Sequence, residues 1–332
     1  MGGSSWSHDV YTDRATTRSS TGASAFAYDA AVAKGTAPRK VHENLDPKGV
    51  KIRESRDSDA HPLSRAIIVG LDVTGSMRSV VTTIHERLPQ FMGLLTRKGY
   101  LADAHVLWSA VGDARCDEAS LQVGQFEAGN EMEDDLGRFF IEGGGGGQSP
   151  PSESYQNLLY FAARHTAIDC HEKRGLPGYL FLIGDEQAYD VMRREVEHVM
   201  GDGLEADIPI AQMVEEVRKR WNVFMVIPTR ASNGSDKSMA AYWQNLLGVE
   251  HVVLLDDASA VAETLATIVG MAEGVVDLAG ASGHLKDVGA SAAVVRSVTS
   301  ALDGYGKSTA AMVRATGGAM APAAAASTTR RL

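Results

Sequence analysis

Residues 66–76 read AIIVGLDVTGS. The run Ile67-Ile68-Val69, followed by Gly70 and Leu71, is apolar at consecutive rather than alternate positions. That is the pattern of a strand buried on both faces, because a strand with one wet face would alternate. A strand covered on both sides needs helices above and below it, so this run points to an α/β sheet. It ends at Asp72, and Thr74 and Ser76 follow at alternate positions.

The same rhythm continues along the chain. Short Val-, Ile- and Leu-rich runs recur at 104–112, 178–185, 222–229 and 251–257. Run 120–128 differs, since Leu121, Val123 and Phe126 alternate with Gln122, Gln125 and Glu127. It follows run 104–112 after a short loop, as an antiparallel edge strand would. Helical patterns lie between at 80–99 (kinked at Pro89), 131–142, 153–168, 210–221, 238–248 and 259–274. The expectation is a doubly wound, mostly parallel six-stranded α/β sheet with one antiparallel edge strand. Ligands of such sheets bind beyond the C-terminal strand ends, near the topological switch point.

Three strand-end loops carry unusual chemistry. In LDVTGSM, one carboxylate (Asp72) and two hydroxyls (Thr74, Ser76) form an oxygen-only set suited to a hard cation. A helix N-cap by Thr74 or Ser76 is the plain alternative. In EGGGGGQSPPSESY, five consecutive glycines (143–147) let the backbone pass close to something, and Pro and Ser then start a helix. Glu153 could merely complement that helix's dipole. In FLIGDEQAY, Asp185 ends a strand expected beside the first, so Asp72 and Asp185 would converge. Two such carboxylates repel unless a cation or protons sit between them.

Taken together, these segments resemble the von Willebrand factor type A (VWA) domain with a metal-ion-dependent adhesion site (MIDAS), in its intracellular bacterial form. The resemblance covers about residues 64–274. Its pattern is D-x-S-x-S after the first strand, a Thr in a Gly-rich second loop and an Asp after the fourth strand. Asp72, Thr74 and Ser76 match the first element and Asp185 the last, and the antiparallel third strand is also a family feature. The second loop departs, for it has no Thr. Counting back from Leu158-Leu159 places the ligand near Ser152 or Glu153, with Gln148, Ser149 and Ser154 also in range; Glu153 is favoured. The resemblance implies a Rossmann-like VWA fold. It also implies Mg²⁺ (or Mn²⁺ or Ca²⁺) at Asp72, Thr74, Ser76, Glu153 and Asp185, with a position open to a partner protein's carboxylate. It implies a binding module rather than an enzyme, with an AAA+ ATPase of the MoxR type as a partner. The rival readings are a Mg²⁺-dependent phosphohydrolase using Asp72, Asp185 and Glu186, and a scaffold that has lost its metal.

Composition bounds the rest. The chain has 332 residues, 32 Lys plus Arg against 42 Asp plus Glu, and 44 % hydrophobic residues. That excludes a wholly disordered chain, and the net charge of -10 argues against a nucleic-acid binder. Residues 1–63 carry 9 basic and 8 acidic residues and read as a partly disordered arm or a strap over the main domain. Residues 64–332 therefore hold 23 basic and 34 acidic residues, net -11. Residues 275–304 read as a short helical extension and 305–332 as a disordered Ala-rich tail. Two cysteines, Cys116 and Cys170, are too few for a disulfide framework. No run approaches the roughly 18 apolar residues of a membrane span, and MGGSSWSHD is no signal peptide; the expected setting is the cytoplasm. ALDGYGKST (301–309) is close to a phosphate-binding loop but lacks the strand that should precede it.

Overall fold

The computed structural model describes residues 5–75, 77–144 and 149–308. Its centre is a six-stranded sheet built from β1 (Ser64–Asp72), β2 (Asp103–Val111), β3 (Leu121–Val123), β4 (Gly178–Ile183), β5 (Trp221–Pro228) and β6 (Val252–Leu255). Their order across the sheet is β6-β5-β4-β1-β2-β3. All neighbours are parallel except β2 and β3, which pair Ser109 with Val123 and Val111 with Leu121 in antiparallel register. The chain is thus mixed α/β, with the antiparallel strand at one edge. It winds outward from β1 to β3, then returns to the other flank of β1 to begin β4. The switch point lies between β1 and β4, where Leu71 pairs with Ile183.

All nine residues of β1 are buried. Ile67, Val69 and Leu71 join one apolar cluster, with helices 78–97, 261–272 and 292–301 over that face. Ala66 and Ile68 join the opposite cluster, under helices Tyr155–Arg164, Ile210–Val217 and Lys237–Leu247. Period-2 side-chain alternation divides one continuous apolar run between two layers. Glycine is favoured at position 70: a Cβ would meet the Leu158 side chain of the covering helix, which would have to shift.

Four expectations need correction. The stretch 80–99 is three pieces, Arg78–Glu86, Leu88–Met92 and a π-helical turn Gly93–Arg97, with Pro89 in the first turn of the second. Proline is tolerated there because a first-turn N–H has no intrahelical partner to lose. The helix expected at 131–142 stops at Gly137. Phe140 instead donates its N–H to Gln122 Oε1 (2.9 Å) and accepts at its carbonyl from Gln122 Nε2 (2.8 Å), so β3 captures this backbone. The strand expected at 120–128 pairs regularly only at Leu121–Val123, and Glu127 then makes an isolated bridge to Val106. The stretch 153–168 is helical only over Tyr155–Arg164, flanked by strand residues Ser152–Glu153 and Thr166–Ile168.

The arm is ordered where it is described. It carries helices His8–Thr21 and Ala27–Ala33, and its strand Arg53–Ser55 pairs with Thr166–Ile168. The first helix buries no residue and is held instead by Arg14 and Arg18 on the buried Glu133, at 3.3 and 2.6 Å. Helices Leu278–Asp287 and Ala292–Ala301 form the C-terminal extension. Residues 303–308 continue as helix, and Tyr305 packs its ring 5.6 Å from that of Phe224. The rest of the Ala-rich tail, 309–332, lies outside the described residues. Among those residues no helix is long and apolar enough to cross a membrane.

Gly70→Ala should destabilise the chain by about 1–3 kcal/mol through overpacking against Leu158. Adding Leu158→Ala should recover part of that loss relative to Leu158→Ala alone, read as denaturant midpoints; strictly additive losses would refute the contact.

Candidate metal centre

Asp72 and Asp185 both open at the C-terminal end of the sheet, one on each side of the switch point, and both are fully buried. Asp72 is held by three donors. Its Oδ1 accepts from the Thr74 N–H (2.8 Å) and hydroxyl (2.5 Å), a tight Asx-type turn, and its Oδ2 accepts from the Tyr155 hydroxyl (2.8 Å). A Cβ at Gly184 would collide with that hydroxyl and stand 3.0 Å from Asp72 Oδ2, so the loop after β4 approaches only because residue 184 is glycine. Asp185 Oδ2 accepts from the Asn233 N–H (2.7 Å), and Asn233 Nδ2 donates to Glu186 Oε1 (3.3 Å).

Glu153 differs from these. Ser152 and Glu153 pair in parallel with Gln187 and Ala188, which stitches the second loop to the loop after β4. The Glu153 side chain is fully buried, and among the described residues neither carboxylate oxygen has a hydrogen-bond partner. Burial, and then Asp72, Glu186, Asp113 and Asp117 around it, push its carboxyl up to about 11. Burial also pushes Asp72 up to about 6, against the opposing Thr74 and Tyr155 bonds. Glu186 rises to about 7 by burial and by the charges of Asp72 and Asp185. A buried carboxylate without a donor is costly in its charged form, so the group either keeps a proton or shares its charge with a cation.

Of the expected site residues, Asp72, Thr74, Glu153 and Asp185 come together at one end of the sheet, and Thr74 is buried against Asp72. Ser76 and Gln148 lie outside the described residues. Ser149 is exposed. Ser152 donates its hydroxyl to the Pro150 carbonyl (3.0 Å). Ser154 accepts at Oγ from the Ala114 N–H (2.8 Å) and donates its own N–H to the Gly112 carbonyl (3.2 Å), so it ties loops together. Among the described residues no group of three or more His, Cys, Asp or Glu side chains is disposed to hold a metal ion.

Sequence reasoning missed Tyr155, Asp113 and Asp117. Tyr155 opens an apolar helix and reads as one more core aromatic. Asp113 follows β2 after Gly112, and the strand-end argument used for Asp72 and Asp185 would have found it. Its Oδ1 accepts from the Arg115 N–H (3.0 Å), and the Tyr189 hydroxyl lies 3.1 Å from its Oδ2. Asp117 Oδ2 accepts from the Asp113 N–H (2.8 Å). Between these carboxylates Cys116 is a poor nucleophile, its thiol pushed up to about 12 by burial and by Asp117 and Asp113. The phosphate-loop look-alike at 301–309 is helical through Ser308 apart from a turn at Leu302, so it does not join a strand to a helix.

No family model matches the chain, and no curated protein matches it. Among solved structures it is similar to the pilus adhesin SpaC from Lactobacillus rhamnosus GG in an open conformation. The identity is 10 % over 66 % of this chain and 31 % of that one, with a TM-score of 0.42. A second structure of the same adhesin gives 11 %, 66 %, 32 % and 0.43. Proximal thread matrix protein 1 from the mussel byssus gives 12 % over 62 % of this chain and 47 % of that one, with a TM-score of 0.35. The chain spans between about a third and half of the length of these proteins.

Two outcomes follow from the buried acids. A carboxyl whose value is raised on folding stabilises the fold below its ordinary value and loses that contribution as pH rises. For Asp72 the window runs from 3.8 to about 6, and for Glu153 from 4.5 to about 11. His105 acts oppositely, because burial lowers it from 6.5 to about 4 and its contribution is lost as pH falls through that window. Above pH 6.5 only the acid losses remain. The cation-free chain should therefore melt at lower temperature at pH 9 than at pH 6.5, and Glu153→Gln should shrink the drop; a flat profile in wild type would contradict the burial of Glu153. Tyr155→Phe should cost about 1–3 kcal/mol by removing the donor to buried Asp72, measured by chemical denaturation; an unchanged midpoint would exclude that bond.

Proposed function

We propose that this chain is a divalent-cation-dependent protein-interaction module of the VWA type, and not an enzyme. Its cation site is MIDAS-like, formed by Asp72, Thr74 and Ser76 on the first loop, Glu153 on the second and Asp185 after β4. The single observation that carries this reading is Glu153: a fully buried carboxylate that finds no hydrogen-bond donor among the described residues, set among Asp72, Glu186, Asp113 and Asp117. A hard cation such as Mg²⁺ or Mn²⁺ is the species whose chemistry fits that oxygen-only set, and Thr74 supplies a neutral ligand that leaves the ion its charge.

The chemistry such an ion supplies is Lewis acidity toward one more oxygen ligand, offered by a partner protein. The residues here orient that event. Thr74 and Tyr155 hold Asp72, the Asn233 N–H holds Asp185, and the strand pair 152–153 with 187–188 holds Glu153 beside them. Glu153 sets this site apart from one with a hydroxyl in the second loop. Its extra negative charge lowers the pull on an acidic partner, so the partner's affinity should rest on packing around the ion as much as on the ion itself. An AAA+ ATPase in the same cytoplasm is the partner class that the VWA resemblance names.

Titration calorimetry tests the reading. Wild type should bind Mg²⁺ and Mn²⁺, Asp72→Ala should lose both, and Glu153→Gln should bind more weakly while stabilising the cation-free chain more at pH 8 than at pH 5. Absence of binding in wild type would sink the proposal. Release of phosphate from simple esters that depends on Asp72 would favour the phosphohydrolase instead.

A further inference from the structure

The N-terminal arm reaches the site loops through a closed ring of contacts. Asp29, on arm helix Ala27–Ala33, accepts at Oδ1 from the Ile141 N–H (3.0 Å) and at Oδ2 from Arg78 Nη1 (3.1 Å). Arg78 closes the ring by donating from Nη2 to the Ile141 carbonyl (2.6 Å). Arg78 opens the helix that follows the Asp72–Thr74 loop, and Ile141 leads into the Gly-rich loop. Just beyond the ring the two loops bond to each other: Gly75 donates its N–H to the Gly144 carbonyl (3.1 Å), and Gly143 to the Val73 carbonyl (3.3 Å).

A second arm contact reaches the third loop. Arg39 donates to Glu142 Oε1 (3.0 Å), while Glu142 Oε2 accepts from the backbone N–H groups of Glu118 (2.9 Å) and Ala119 (3.1 Å). That loop carries Asp113 and Asp117. Beneath these contacts Val32 of the arm, Phe140 and Ala119 form a small buried apolar cluster. One arm thus touches the supports of the Asp72 loop, the Glu153 loop and the Asp113–Asp117 loop. Arg14 and Arg18 anchor the arm at a separate place, on Glu133.

We propose that Asp29 and Arg39 are positioning residues that hold the three site loops in register, so that docking of the arm sets the cation affinity of the centre. Asp29 dominates, because its side chain is 15 % exposed and it also satisfies a backbone N–H, whereas Arg39 is 64 % exposed and its ion pair is weak. The affinity part of this inference rests on the cation reading above; the part about loop register does not.

The experiment compares wild type with Asp29→Ala, Asp29→Asn, Arg39→Ala and, as control, Arg14→Ala, which weakens arm docking on helix Glu131–Gly137 without touching the Asp29–Arg78–Ile141 ring. Hydrogen exchange is read over Val73–Gly75, Glu118–Ala119 and Ile141–Gly144, and Mn²⁺ binding by calorimetry. Asp29→Ala should speed exchange in Val73–Gly75 and Ile141–Gly144, and weaken Mn²⁺ binding, each by about five- to tenfold, the equivalent of one lost part-buried acceptor. Asp29→Asn, which keeps an acceptor for Ile141, should fall between. Arg39→Ala should act mainly at Glu118–Ala119 and more weakly, and Arg14→Ala should change neither readout. Faster exchange confined to the arm and Ile141, unchanged Mn²⁺ affinity in Asp29→Ala, or an equal effect of Arg14→Ala would each overturn the proposal. If wild type takes up no Mn²⁺ the cation reading falls, and the exchange pattern alone decides whether the arm holds the loops.

Discussion

Like charges buried at the switch point constrain everything around them. The doubly wound order β6-β5-β4-β1-β2-β3 brings the ends of β1 and β4 together, and each is followed by a buried carboxylate. Close approach of this kind is unfavourable unless every oxygen finds a donor or a counter-charge. The local architecture answers that demand residue by residue. Thr74 turns back on Asp72, Tyr155 rises from the covering helix to its other oxygen, and residue 184 is glycine because any Cβ would strike that hydroxyl. Asp185 and Asp113 take backbone N–H groups.

Glu153 is the exception to this pattern of satisfied acids. It is brought in by a two-residue strand pair, set among four other carboxylates and left without a donor among the described residues. The Gly-rich segment before it lets the backbone pass close to neighbouring acids, since a Cβ at Gly144 would collide with Asp117. The arm closes over the far side of the same loops, so their geometry depends on residues more than a hundred positions away in sequence, Asp29 on Ile141 and Arg39 on Glu142.

Much of the sheet was legible because burial on both faces leaves an unbroken apolar run, as in Ile67-Ile68-Val69. Elements whose form depends on a distant side chain were not. The helix that stops at Gly137 does so where Gln122 takes both polar groups of Phe140, a contact invisible to local periodicity. The first arm helix has a readable start, since Ser7 Oγ accepts from the Val10 N–H, but it buries no residue and so shows no apolar stripe. At the site, Asp72, Thr74 and Asp185 could be read from their places at strand ends. Tyr155 could not, because an aromatic at the start of an apolar helix signals packing until its hydroxyl is seen on Asp72.

We propose that the orphaned carboxylate at the switch point serves a cation. Anomalous diffraction from crystals grown with Mn²⁺ tests it most directly. One strong anomalous peak is expected at the C-terminal end of β1, beside the Thr74 hydroxyl, with Asp72, Glu153 and Asp185 in contact directly or through water. A map with no peak there, and Glu153 still buried without a partner, would contradict it.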